Sequence, residues 1–168
     1  INNKEQYVYA TSWGVTTRLI GALIMVHGDD KGLRLPPNVA PIQIVIIPIF
    51  KSEEELSTIK KAVTNLISNL IENEISYYVD DRKKLSPGFK FNEWEMKGAP
   101  IRVEVGLRDI NQQQITCVRR DTSEKIFIKI EESFDCIIDL LKSIQNDMLT
   151  KASEFLNTNI HSVDSYDD

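Results

Sequence analysis

The stretch SPGFKFNEWEMKGAPIRVEVGLRD, residues 86–109, decides how the rest of this 168-residue chain must be arranged. A Pro-Gly pair stands near its start and a Gly and a Pro stand in its middle, and such residues begin or end regular elements. Between them the sequence predicts a short helix over residues 88–97. Apolar and charged residues then alternate from 101 to 106, which predicts a strand with one buried face.

This stretch carries more charge than a short helix and a short strand need for solubility. The charges are of both signs and closely spaced, which favours a surface that recognises a partner. A solvated rim of ion pairs is the alternative interpretation, and it explains most charge clusters. The residues concerned are Glu93, Glu95, Lys97, Arg102, Arg108 and Asp109.

The segment before this stretch predicts a strand–helix–strand unit. Residues 42–49 are an almost unbroken apolar run, typical of a central strand covered on both faces. Residues 52–55 form a capping box that starts a helix, and residues 75–80 predict a second strand, so a right-handed parallel crossover is expected. The helix has one apolar stripe, consisting of Leu56, Ile59, Val63, Leu66, Ile67, Leu70 and Ile71.

The segment after it predicts a hairpin and a long last helix. Residues 113–119 and 125–130 have the composition of paired strands, and the helix runs from about 134 to 156. The predicted fold is therefore α/β, with a mixed sheet of about five strands flanked by helices. Residues 162–168 are polar and acidic and predict a disordered tail. The helix is expected to bury Phe134, Ile137, Ile138, Leu141, Met148, Ala152 and Phe155.

The first 40 residues predict a smaller unit of their own. Residues 6–13 have the composition of a strand, and a helix capped by Thr16 or Thr17 follows. Prolines at positions 36, 37 and 41 exclude a helix there and mark a linker. We therefore expect three parts, namely residues 1–40, a main domain over 41–157, and a polar tail over 158–168.

The composition is that of a globular domain, with 42% hydrophobic and 27% charged residues. No segment has the pattern of a secretory signal or is long enough to span a bilayer. The net charge is −5, but nine Lys or Arg outnumber four Asp or Glu between positions 82 and 120, so basic character is local and modest. The chain starts at Ile1 rather than Met, which predicts a fragment of a longer protein.

Few residues suggest chemistry by themselves. Cys117 and Cys136 lack metal-ligand spacing and are expected to be small buried hydrophobic residues. Neither histidine has a carboxylate and a nucleophile placed around it, and no glycine-rich phosphate loop occurs. Arg18, in the first turn of the predicted first helix, can bind a phosphate at the positive end of the helix dipole. A surface arginine on an amphipathic helix fits the same spacing.

Two stretches resemble one enzyme family. Residues 86–109 resemble the anticodon-binding domain of prolyl-tRNA synthetases, particularly those of the archaeal and eukaryotic type. TSWGVTTRLIGALIMVHGDDKGLRLPPNVAPIQ, residues 11–43, resembles motif 3 of a class II synthetase and the exit from its catalytic domain. Together the two resemblances cover residues 7–120. In residues 11–43 the family pattern implies that Thr16 and Arg18 bind ATP and that Ser12, Trp13 and Gly14 line the proline pocket.

In residues 86–109 the resemblance implies contacts with the anticodon. Proline codons begin with two cytosines, so the anticodon presents two guanines. A carboxylate matches the N1–H and N2–H₂ donors of guanine, and an arginine or lysine matches its O6. Trp94 and Phe91 can stack on bases, although core packing is expected for at least one of them. The contacts are implied for Glu95, Arg102, Arg108 and Asp109.

The resemblance also implies a function for the parent protein. It would be a class II ligase that activates proline with ATP and Mg²⁺ and charges tRNA(Pro), as a cytoplasmic homodimer formed through its catalytic domain, with no membrane partner. This piece is expected to recognise the anticodon, to hold no cofactor or metal, and to be inactive as a ligase alone. The alternative is a stand-alone accessory or protein-interaction module with the same fold and no ligase activity.

Overall fold

The computed structural model describes residues 7–161, so the tail expected over 162–168 lies outside the described residues. The first elements are α1 (Arg18–His27), β1 (Gly28–Asp29), β2 (Gly32–Leu33), β3 (Ile44–Ile49), α2 (Glu53–Ala62), α3 (Thr64–Glu72) and β4 (Tyr77–Val79). They are followed by α4 (Pro87–Lys97), β5 (Ile101–Gly106), α5 (Leu107–Asn111), β6 (Gln114–Arg119), β7 (Lys125–Lys129), a 3₁₀ turn (Ile130–Glu132) and α6 (Ser133–Thr158).

Strands β3 to β7 form one sheet in the order β4–β3–β5–β6–β7. β3 pairs in parallel with β4 and with β5, whereas β5, β6 and β7 pair antiparallel. The parallel strand–helix–strand unit and the β6–β7 hairpin are therefore as predicted. The fold class, an α/β fold with a mixed sheet of five strands flanked by helices, is confirmed.

The main core lies between one face of the sheet and helices α2, α3 and α6. The opposite face of β3 packs against Trp94 of α4 and against Ala99, which follows the C-cap of that helix. Because side chains alternate along a strand, Arg102 and Glu104 of β5 lie on the α4 side of the sheet. The core includes Ile44, Ile46, Ile59, Val63, Leu66, Leu70, Ile101, Val103, Val105, Ile115, Ile137 and Ile144.

The helix expected over the capping box and its apolar stripe is divided into α2 and α3. Val63, between them, has φ −95° and ψ 5°, outside helical values. The hydroxyl of Thr64 donates a 2.8 Å hydrogen bond to the carbonyl of Lys60, a side-chain bond that competes for helical carbonyls and bends helices. The stripe is buried as predicted at five positions, but Ile71, near the end of α3, is exposed.

The strand expected over residues 6–13 is not formed in the described part of that range. Residues 7–16 have no regular structure and are exposed, because a strand needs a neighbour to satisfy its backbone groups and none of the described strands lies beside them. The helix predicted next is present as α1. The side chain of its N-cap, Thr17, makes no capping hydrogen bond, and no residue of α1 is buried.

The last helix is longer than the sheet that it covers. Ile137, Leu141 and Ile144 are buried against the core, as expected for the first half of α6. The inward positions predicted at Ala152 and Phe155 are wrong, since residues 151–160 are exposed. The apolar spacing of the second half is helical, but this half of α6 extends beyond the edge of the core.

Both cysteines are free, with Cys117 buried in β6 and Cys136 half-buried in α6. Burial raises the pKa of the Cys117 thiol to about 12, so it is not ionised at neutral pH. The expectation that these residues pack as small hydrophobic side chains is confirmed for Cys117.

Candidate nucleic-acid interface

Arg102 lies at the centre of a cluster of charges on the α4 side of the sheet. Its Nη1 is 3.0 Å from Oε1 of Glu95, and its Nε and Nη2 are 3.0 and 2.9 Å from Oε1 of Glu104. Its guanidinium carbon lies 4.4 Å from the centroid of the Phe91 ring. Nζ of Lys125 is 3.6 Å from the other oxygen of Glu104. The Arg102 side chain is 9% exposed but that of Glu95 is 23% exposed, so the cluster meets solvent at the carboxylate.

The local sequence explains how α4 presents this carboxylate. The Ser86 hydroxyl accepts a hydrogen bond from the amide of Phe89, and Gly98, with φ +80°, ends the helix in the left-handed region. Phe91 and Glu95 are four residues apart and therefore lie on one side of the helix. That side is directed toward Arg102 of β5.

The two aromatic residues of α4 have different surroundings. Trp94 is buried, and its indole N–H donates a 2.9 Å hydrogen bond to Oδ2 of Asp80. Phe91 is half-buried, with the Arg102 guanidinium on its face. Core packing thus accounts for Trp94, as expected for one of the two.

Asp80 anchors the other side of α4 to the end of β4. Its carboxylate accepts hydrogen bonds of 2.8 and 2.7 Å from Arg82. Arg82 also contacts Glu93 at 2.6 Å, and Lys97 contacts the other oxygen of Glu93 at 2.7 Å. Burial acts to raise the pKa of Asp80, but the hydrogen bonds from Arg82 and Trp94 outweigh it and lower that pKa to about 2. Glu93 is paired within the fold, because Arg82 and Lys97 both bind its carboxylate.

Arg108 and Asp109 lie on α5, at the far end of β5 from Glu95. Oδ2 of Asp109 accepts a 2.8 Å hydrogen bond from the amide of Gly106, which starts this short helix. Arg108 is exposed. Gly106 is four positions after Arg102 along the strand, roughly 13 Å at the usual rise. The four residues expected to contact an anticodon thus form two separate pairs.

The residues expected to bind ATP and proline are not assembled into a site. Ser12, Trp13, Gly14 and Thr16 lie on the irregular segment before α1, and all are exposed, Trp13 at 92%. Arg18 is the first residue of α1 and is also exposed. Residues 7–161 alone therefore form no pocket around these five side chains.

Neither a metal-binding cluster nor a helix able to cross a membrane occurs in the part of the chain that the structure describes. No group of three or more His, Cys, Asp or Glu side chains within residues 7–161 is arranged to hold a metal ion. None of the helices described over this range combines the length and the apolar character needed to cross a membrane.

Comparison with known families decides the relationship of the chain. Residues 43–140, more than half of its length, match the family model of the anticodon binding domain. The chain belongs to the anticodon-binding domain family.

Curated relatives of this anticodon-binding domain extend the comparison on both sides of the matched residues. The chain is 46% identical to the proline–tRNA ligase of Natranaerobius thermophilus over 167 residues and 47% identical to that of Flavobacterium johnsoniae over 165 residues. These matches cover 99% and 98% of this chain but 34% of each relative. A proline–tRNA ligase of Phocaeicola vulgatus matches at 47% identity over 167 residues. The chain therefore spans about a third of the length of the curated relatives that it matches.

Residues of this anticodon-binding domain that sequence reasoning missed lie on the same face as Arg102. Strand register joins Arg102 through Val118 to Lys125, and Glu104 through Thr116 to Phe127. Phe127 is 65% exposed although it lies inside a strand. The signal was present, because the charged and aromatic residues at 125, 127 and 129 alternate with isoleucines in the predicted hairpin.

Proposed function

We propose that this chain is the tRNA-recognising part of a proline–tRNA ligase, which joins proline to tRNA(Pro) at the expense of ATP. The names of its relatives support this reaction, and its membership of the anticodon-binding domain family supports the role of this part. The parent enzyme would work in the cytoplasm as a homodimer formed through its catalytic domain. No comparison favours the alternative of a protein-interaction module without ligase activity.

The pairing of Glu95 with Arg102 is the observation that carries the proposal. One carboxylate oxygen of Glu95 accepts from Arg102, and a carboxylate has about four acceptor positions, so capacity for the N1–H and N2–H₂ donors of guanine remains. Arg102 donates through Nε to Glu104 and through Nη1 to Glu95, and its Nη2 lies 2.9 Å from Oε1 of Glu104, so N–H groups remain for the guanine O6. The pair would thus offer an acceptor and a donor side by side, the two functions that the edge of an unpaired guanine requires.

The second guanine is assigned to Arg108 and Asp109. Arg108 is exposed at the start of α5, and the half-buried carboxylate of Asp109 is held by the amide of Gly106. Two neighbouring nucleotides of an unstacked anticodon can reach both pairs, because single-stranded bases are splayed apart when proteins read them.

Phe127 and Lys125 extend the same surface. An exposed aromatic ring on a strand is a stacking platform for a base, and the adjacent lysine side chain, 56% exposed, attracts phosphate. The Glu95–Arg102 pair would then read the edge of one base, while Phe127 of the β6–β7 hairpin stacks on the neighbouring base.

The remaining assignments concern the first part of the chain. Arg18 and Thr16 would bind ATP, and Ser12, Trp13 and Gly14 would line the proline pocket, once the rest of the ligase surrounds them. ATP would supply the AMP group of the prolyl adenylate, with pyrophosphate as the leaving group. We assign no ligand of its magnesium ion to residues 7–161.

Titration of fluorescent tRNA(Pro) against the full-length protein tests the proposal. We expect tRNA(Pro) to bind more tightly than the same tRNA with both anticodon guanines replaced by adenines, by about tenfold or more, the usual range of discrimination for a good base contact. Equal binding of the two tRNAs would contradict anticodon reading. Absence of binding to either would favour the protein-interaction module.

A further inference from the structure

Arg120 joins three parts of the fold with one buried side chain. Its Nη1 and Nη2 are 2.9 and 2.6 Å from the two carboxylate oxygens of Asp29, on β1. Its Nε donates a 2.9 Å hydrogen bond to the backbone carbonyl of Glu95, on α4. The Arg120 side chain is only 5% exposed. The β6–β7 turn, the β1–β2 hairpin and the last turn of α4 are therefore held together at one guanidinium.

Backbone contacts make this junction rigid. A Cβ atom at Gly32, where φ is +128°, would lie 2.4 Å from Cα of Met96. A Cβ atom at Gly98 would lie 2.7 Å from Cβ of Leu33. The β1–β2 hairpin thus lies directly against the end of α4, with no room for a side chain at either glycine. Movement of one element is therefore passed to the other rather than absorbed between them.

The pairing of Asp29 with Arg120 is strong for its position. The hydrogen bond from Arg120 holds the pKa of Asp29 well below its ordinary value, so the carboxylate is charged throughout the neutral range. Two parallel N–H···O bonds fix the orientation of the guanidinium plane as well as its position. Its third bond, to the Glu95 carbonyl, lies at the C-terminal end of α4, where a cation suits the helix dipole.

We propose that Arg120 and Asp29 are positioning residues, which set the orientation of Glu95 for guanine. Arg120 holds the backbone of Glu95, whereas Arg102 holds its side chain, so both ends of the residue are fixed before any RNA arrives. This inference rests on the proposed function, since it assumes that Glu95 reads a base.

Arg119, the preceding residue and the last one of β6, provides a matched control. It is as buried as Arg120, at 7% exposure for each residue, and its guanidinium also contacts carboxylates, those of Asp121 and Asp147. Its hydrogen bonds lead to α6 through Asp147 and Ser143 rather than to α4. Replacing either arginine with lysine removes a planar, bidentate contact and keeps the charge.

The experiment compares Arg120→Lys and Arg119→Lys in the full-length protein, with tRNA(Pro) and its adenine-substituted form as ligands. We expect Arg120→Lys to narrow the ratio of the two dissociation constants by about tenfold, the effect of one lost hydrogen bond to a charged group. Both variants are expected to lower the melting temperature by similar amounts. Arg119→Lys, however, should leave the ratio of dissociation constants within about twofold of wild type. Asp29→Asn, which preserves the shape of the side chain, should act in the same direction as Arg120→Lys.

A double-mutant cycle then separates positioning from stability. Glu95→Gln and Asp29→Asn should be non-additive in their effects on the ratio, because both act on one contact. If the wild type discriminates between the tRNAs but Arg120→Lys behaves like Arg119→Lys, the positioning role is overturned and the proposed function stands. If the wild type itself does not discriminate, the proposed function fails first, and the inference fails with it.

Discussion

At Glu95, a single substitution tests the chemistry of recognition. Glu95→Gln keeps the size of the side chain but places an NH₂ donor where guanine also presents donors. We expect it to weaken tRNA(Pro) binding by about 1–3 kcal/mol and to leave binding of anticodon-altered tRNA nearly unchanged. The free energy of unfolding should fall by only about 0–1 kcal/mol, because this carboxylate is partly solvated. Binding titrations and urea unfolding measure the two effects.

The natural control for this variant is not its neighbour Glu93. That residue lies one turn from Lys97 and is bound by it and by Arg82, so its substitution would disturb the attachment of α4. Glu72, an exposed residue of α3, is the better choice. A sharp loss of stability in Glu95→Gln together with intact discrimination between tRNAs would assign Glu95 a purely structural role.

Asp80 gives the fold an acid-sensitive contact. Its pKa is lowered from the ordinary value of 3.8 to about 2 in the folded chain. The ionised Asp80 carboxylate therefore stabilises the folded state fully above pH 4. This contribution, about 2 kcal/mol, is lost as the pH falls toward 2. We expect the difference in unfolding free energy between wild type and Asp80→Asn to be largest at pH 7 and to shrink below pH 4. A difference that stays constant between pH 7 and pH 2.5 would contradict this assignment.

At the scale of single residues, the sequence predicted which charged residues lie together but not which of them form ion pairs. The charges of residues 93–109 were recognised as a group, but which of them pair within the fold depends on Asp80, Arg82 and Lys125, which lie outside that stretch. Such pairs are set by sheet register and helix placement, which no local spacing encodes.

Among the elements, strand β7 yields the next prediction. Phe127→Ala removes an exposed ring and is expected to weaken tRNA binding by about 1–3 kcal/mol, the range for loss of one stacked base. The salt dependence of binding should not change, because no charge is altered. Phe155→Ala is the control, since Phe155 is 73% exposed at the far end of α6. Equal effects of the two variants would remove β7 from the interface.

Elements with a clear apolar period were predicted well and those without one were not. The sheet strands and α4 follow from alternation and from bounding Gly and Pro residues. The break at Val63 and the short helix α5 depend on side-chain and backbone hydrogen bonds that leave the apolar pattern unchanged. The first expected strand fails for the opposite reason, since its composition is right but none of the strands described over residues 7–161 pairs with it.

At the scale of the whole molecule, the exposed first part predicts inactivity in isolation. Adenylate formation requires ATP and proline to be held in one fixed geometry. Trp13 and Arg18 lie exposed in the described part of this chain. We expect the purified 168-residue chain to show no proline-dependent ATP–pyrophosphate exchange, with the full-length protein as the positive control. Exchange at a rate near that of the full-length protein would refute this prediction.

The buried thiol of Cys117 gives the domain a chemical probe of its own opening. Thiolate is the form that alkylating reagents attack, and with a pKa of about 12 roughly one Cys117 in ten thousand is ionised at pH 8. Alkylation of this residue therefore requires the sheet to separate from α6, whereas the half-buried Cys136 provides an internal reference on that helix. Mass spectrometry of the two labelled positions would time the opening of the core. The same measurement with tRNA present would report whether RNA binding slows that opening.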